Sequence, residues 1–140
     1  MSKKETWRTR KYWSEVGGML IEEFIAVKGS KASGKRLIDG LIILGEEHKI
    51  YEGKTYDIEG KDVIIVQTKA YRIGMYLLGQ AYFSQYLIKN HKPKSIKSVA
   101  ICSKNDEVIS QIANTHNVEI VVISDNDYDQ KHDVEKYKVD

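Results

Sequence analysis

Apolar positions along this chain fall into two kinds of run. Leu37 to Leu44, Val63 to Thr68, Ser98 to Cys102 and Val118 to Ile123 are short, nearly continuous and rich in Ile and Val, and they predict strands. Val63 to Thr68, β-branched almost throughout, reads as a central strand. The longer runs carry the helical period. Trp13, Val16, Leu20, Phe24 and Val27 fall on one stripe and predict a helix over Tyr12 to Val27. Gly74 to Asn90 predicts a second helix, with the lone proline, Pro93, just past its end. Asp106 predicts the cap of a third, running to about Thr115 with Glu107 in its first turn. Gly29 to Gly34 breaks the chain, and Glu46 to Gly60 reads as a hairpin or long loop with a short strand near Ile50.

The order helix, strands, helix, strand, helix, strand predicts an α/β domain with a mixed sheet between helices. A chain of 140 residues suits one domain with one core. That domain is expected over residues 1–124, with a charged, poorly ordered tail over 125–140. Charge is nearly balanced at +2, so its distribution says more than its sum. Lys3, Lys4, Arg8, Arg10 and Lys11 crowd the N-terminus, and Lys28, Lys31, Lys35 and Arg36 crowd the approach to Asp39. Such clusters are either solvated surface or phosphate contacts. Cys102 is the only cysteine, which excludes an intramolecular disulfide and a cysteine zinc cluster. The chain shows neither a signal-peptide pattern nor an apolar run of membrane-spanning length, so an intracellular, cytoplasmic protein without a membrane partner is expected.

The chemistry centres on two strands. Asp39 stands in the first, and the second ends in Gln67-Thr68-Lys69. An acid in an apolar strand needs compensation. Residues two apart in a strand face one side, so Gln67 and Lys69 are expected to point together. Hard divalent cations take oxygen donors, so Asp39, the Gln67 amide oxygen and the Thr68 carbonyl form a candidate metal site. Lys69 is the candidate to hold or deprotonate an attacking water and to offset charge on a phosphodiester.

These residues, in this order of elements, resemble the PD-(D/E)XK nuclease superfamily over roughly residues 13–123, with Gln67 where the pattern has Asp or Glu. The resemblance implies a restriction-endonuclease-like three-layer core, similar to small restriction-like endonucleases and junction resolvases. It also implies a Mg2+- or Mn2+-dependent nuclease hydrolysing DNA, with RNA still open as substrate. A glutamate in the first helix is the family's further site member. Glu23, on the edge of the apolar stripe, and Glu22, by its spacing from Gly18, are both candidates, with Glu15 behind them. Catalytic candidates are therefore Asp39, Gln67, Lys69, Glu22 and Glu23, with Lys31, Lys35 and Arg36 as candidate phosphate contacts. The alternative is a catalytically inactive relative that binds nucleic acid or protein, which the Gln67 substitution keeps in play.

Three further features bear on this reading. Apolar residues cover nearly the whole circumference of the 73–90 helix, which predicts burial on both sides and, in so small a chain, a homodimer interface. Gln80 on this helix is expected near the strand-end site. Gly29 to Lys35 fits G-x-x-x-x-G-K, but Arg36 stands where a phosphate-binding loop needs Ser or Thr, and a strand is expected where a helix should follow. The four histidines are scattered, without metal-ligand spacing.

Overall fold

The computed structural model describes residues 1–129. Its elements are α1 (Lys3–Val16), β1 (Met19–Val27), β2 (Arg36–Ile43), β3 (Ile50–Glu52), β4 (Asp62–Thr68), α2 (Met75–Lys89), β5 (Ser95–Cys102), α3 (Glu107–Thr115) and β6 (Val118–Val122). A 3-10 turn over Asp125–Asp127 follows. The six strands form one mixed sheet in the order β3-β1-β2-β4-β5-β6. β2 runs antiparallel to both β1 and β4, whereas β4, β5 and β6 are mutually parallel neighbours. Their parallel steps are bridged by α2 and α3, as parallel neighbours require.

Apolar side chains divide between the two faces. Trp7, Tyr12 and Trp13 of α1 pack with Leu20, Ile42, Val66, Val99 and Ile101 on one face. Ile88 of α2 packs with Ile21, Leu41 and Ile65 on the other, where Leu77 and Ala81 of α2 also meet Ala100 and Ala113. Helix, sheet and helices thus form an α/β sandwich of three layers.

β2, β4, α2, α3 and β6 lie within a residue or so of their predicted places, and β5 begins three residues before the predicted Ser98. The predicted helix over Tyr12 to Val27 is wrong. Its first part belongs to α1, which ends at Val16, and its second part is strand β1. The break is steric. Gly17 and Gly18 have φ of +83° and +80°, and a Cβ on Gly18 would stand 2.6 Å from the Ile43 carbonyl oxygen. Only glycine fits there, so the chain leaves the helix and enters the sheet. Residues Met19 to Glu22 are all buried, and a strand covered on both faces offers no clean alternation to distinguish it from a helix.

Polar contacts add to the packing of α1 against the sheet. Arg8, Thr9 and Arg10 are consecutive and all buried. Arg8 donates through Nε to the Ile123 carbonyl at 2.8 Å and pairs with Asp125. The Thr9 hydroxyl lies 2.8 Å from that of Thr68. Arg10 grips Glu22 of β1 through two bonds, Nε to Oε2 at 2.9 Å and Nη2 to Oε1 at 3.0 Å. The tail expected to be poorly ordered from Asp125 therefore begins with an anchored turn; residues 130–140 lie outside those described.

Candidate active site at the end of the sheet

The ends of β2 and β4 meet in the middle of the sheet, in register from Gly40 against Val66 to Ile43 against Val63. Just past that ladder Asp39 Oδ2 accepts the Thr68 N–H at 3.0 Å. The Gln67 Oε1 accepts the Asp39 N–H in a long contact of 3.4 Å. The structure thus brings Asp39, Gln67 and Thr68 together. Lys69, the next residue, lies 3.6 Å from Glu5 of α1 through Nζ and Oε2.

The direction of Gln67 differs from the expectation. Its Nε2 donates to Ser84 Oγ of α2 at 2.9 Å, whereas Lys69 turns toward α1 on the opposite face. β4 ends at Thr68, so strand alternation no longer governs Lys69.

The glutamate candidates also separate. Neither Glu22 nor Glu23 lies on a helix; both belong to β1, which corrects the assignment made with the helix over 12–27. Glu22 is buried and committed to Arg10. Glu23 stands opposite Asp39, between the pairs Glu22–Gly40 and Phe24–Ile38. Its φ is +52°, in the left-handed region that non-glycine residues seldom occupy. Its carboxylate meets the Met1 ammonium at 2.5 Å. Glu15 lies near the end of α1 and is exposed.

Sequence reasoning missed Glu5. It is the acid that the first helix contributes, at the N3 position, in a capping box with Ser2. The signal was present as Ser2-x-x-Glu5.

Electrostatics tie these groups into one cluster. Burial raises the Asp39 carboxyl above its ordinary value. The Thr68 N–H opposes that shift, Glu23 and Glu5 add to it, and Lys69 opposes it again. The Met1 ammonium is raised in turn, first by its bond to Glu23 and against the effect of burial, then by the charges of Glu23, Asp39 and Glu5. Glu23 and Glu5 thus act on Asp39 through their charges, and each already meets a cation, the Met1 ammonium and Lys69 respectively. Among the described residues, no three His, Cys, Asp or Glu side chains are already arranged as a metal cage. The donors nevertheless fit a hard divalent cation in kind: the carboxylate oxygens of a half-buried Asp39, with Glu23 and Glu5 close enough to raise its carboxyl.

The basic candidates lie in the β1–β2 loop and at the start of β2. Lys31 is exposed in the β1–β2 loop. Lys35 and Arg36, at the start of β2, border a cleft that reaches Gln67 and Gln80. The loop from Gly29 leads into strand β2 and not into a helix, so it lacks the helix N-terminus that a phosphate-binding loop uses.

An α/β sandwich with an acid–lysine cluster at its central strand ends is the class these observations define. Compared with known proteins, the chain matches no family model, no curated protein and no solved structure. Among the described residues, no helix is long and apolar enough to cross a membrane.

Proposed function

We propose that the chain is a metal-dependent nuclease of restriction-endonuclease-like fold that hydrolyses DNA phosphodiester bonds. The observation that carries this reading is Asp39 at the central strand ends, its Oδ2 on the Thr68 N–H and its carboxyl within the influence of Glu23, Glu5 and Lys69. Asp39, the Thr68 carbonyl and one or both of Glu5 and Glu23 would hold Mg2+ or Mn2+. When bound, the ion supplies Lewis-acid polarisation of the phosphodiester.

The remaining work belongs to the chain. The Lys69 ammonium orients the attacking water and offsets charge on the scissile phosphate. Glu5 holds Lys69 at the cluster from the first turn of α1. Gln67 acts as a positioning residue, since it links the Asp39 backbone to Ser84 of α2. Lys31, Lys35 and Arg36 contact phosphates along the strand. A two-fold association through α2 would cover Met75, Tyr76 and Tyr86, which are exposed in the single chain. Light scattering should then give twice the chain mass, and Tyr76→Glu should halve it.

The test is cleavage of supercoiled plasmid with Mg2+ or Mn2+, wild type beside Asp39→Ala and Lys69→Ala. Nicking by wild type, lost with chelator and reduced at least ~100-fold in each variant, is expected. Cleavage that survives both substitutions would contradict the site.

One observation favours a second reading, a non-catalytic module that binds nucleic acid. Gln67 is committed to Ser84, and no three-acid cage stands ready among the described residues. In that case wild type would bind DNA without cutting plasmid, branched or single-stranded substrates.

A further inference from the structure

A cleft of about 400 Å³ lies between the start of β2, the end of β4 and α2. That size falls in the range of roughly 300–1,000 Å³ typical of ligand pockets. Its walls are of three kinds. Leu37, Phe83 and Leu87 are apolar, and Phe83 is 65% exposed, so the ring offers a face to anything that enters. Gln67 and Ser84 are buried polar groups, joined by the bond from Gln67 Nε2 to Ser84 Oγ, which leaves the Ser84 O–H as a donor. Lys35 and Arg36 place two cations at the rim.

Gln80 adds the incomplete part. It lines the cleft, and its Oε1 is buried without a hydrogen-bond partner. A buried acceptor without a donor costs free energy until a donor arrives. Among the described residues no hydrogen bond reaches this oxygen, so it is open to a donor from a ligand.

We propose that this cleft receives one nucleotide: its base against Phe83, its base edge on the Gln80 and Ser84 groups, and its phosphate on Arg36 and Lys35. The chemistry selects that class. An aliphatic ligand would leave the amide and hydroxyl unmatched, and an inorganic anion would leave the apolar walls unused. A flat ring with N–H donors and a nearby negative charge matches all three. The inference rests on the nuclease reading in one respect. Gln67 touches both this cleft and the Asp39 backbone, so the nucleotide would belong to the strand whose phosphate lies at Asp39.

The test uses the full chain, labelled with 15N, in the presence of a chelator. The probes are deoxyadenosine and thymidine 5′-monophosphates and the corresponding nucleosides. Saturable shifts of the Gln67 and Gln80 side-chain amides are expected. Phe83→Ala, at an exposed position that leaves the core intact, should weaken binding about tenfold. Gln80→Leu should weaken it too, and Arg36→Gln should weaken the monophosphates while sparing the nucleosides. Absent or unsaturable shifts, or binding indifferent to Phe83 and Gln80, would overturn the proposal. The two readings fail separately. Nucleotide binding without cleavage sinks the nuclease alone, and Asp39-dependent cleavage without nucleotide shifts sinks the cleft alone.

Discussion

Glu22 and Glu23 are adjacent on β1 and live in opposite circumstances. Glu22 is buried, both of its oxygens accept from Arg10, and its charge is matched within the pair. Glu23 sits on a left-handed backbone at the edge of a cluster where Asp39 and Glu5 add further negative charge. The first arrangement holds α1 to the sheet. In the second, Glu23 meets the Met1 ammonium and Glu5 meets Lys69, while the neighbouring Asp39 has no cation within ion-pair distance among the described residues and its carboxyl is raised, first by burial. On the proposed reading, the difference teaches that burial alone does not mark a functional acid; what marks Asp39 is burial without a direct ion-pair partner among the described residues.

The contrast makes Glu22 a stability residue. Glu22→Ala removes both of the charged hydrogen bonds that Glu22 accepts from Arg10 and should cost about 3–5 kcal/mol in denaturant unfolding. An Arg10→Met, Glu22→Leu double variant should recover most of that loss, because removing both charges removes the desolvation cost as well. A loss under about 1 kcal/mol for Glu22→Ala would erase the distinction between the two acids.

Asp39 should behave in the reverse sense. Its folded carboxyl is raised, so the native state holds the proton more tightly than the unfolded chain. Stability attributable to this group is therefore greatest below the ordinary carboxylate range and declines as pH rises through the raised folded value. Asp39→Asn keeps an acceptor for the Thr68 N–H without the charge. It should stabilise the chain by about 1 kcal/mol at neutral pH, an advantage that fades on acidification, while cleavage is lost. Thermal unfolding of both proteins across pH 3 to 7 checks the sign; the window runs upward from ~3.9.

A smaller effect is expected beside Asp39. A Cβ on Gly40 would approach Thr9 Cγ2 at 3.1 Å and Leu20 Cδ1 at 3.2 Å. Both are side-chain ends that can yield, so Gly40→Ala should cost about 1 kcal/mol. Because Thr9 also bonds Thr68, the substitution should lower cleavage slightly without removing metal dependence.

The sequence displayed some of this more openly than the rest. β2 and β4 announced themselves as Ile- and Val-rich runs, and α3 through its Asp106 cap, which accepts from the Val108 and Ile109 amides as expected. Asp39 beside Thr68 followed from the placement of those two strands. α1 was hidden because Arg8, Thr9 and Arg10 are buried through polar partners, and apolar periodicity registers only apolar burial. Glu5 was hidden with it, since the first helix was expected from Tyr12, nine residues after α1 begins at Lys3. The opposite turns of Gln67 and Lys69 depend on β4 ending at Thr68, a boundary set by tertiary contacts and not by local pattern.

Mn2+ added at substoichiometric level to the 15N-labelled chain would locate the cation most directly. Paramagnetic broadening centred on the Glu5, Glu23, Asp39, Thr68 and Lys69 amides, abolished in Asp39→Asn, is the predicted result. Broadening confined to other acids, or unchanged in Asp39→Asn, would contradict the assignment of this cluster as the metal site.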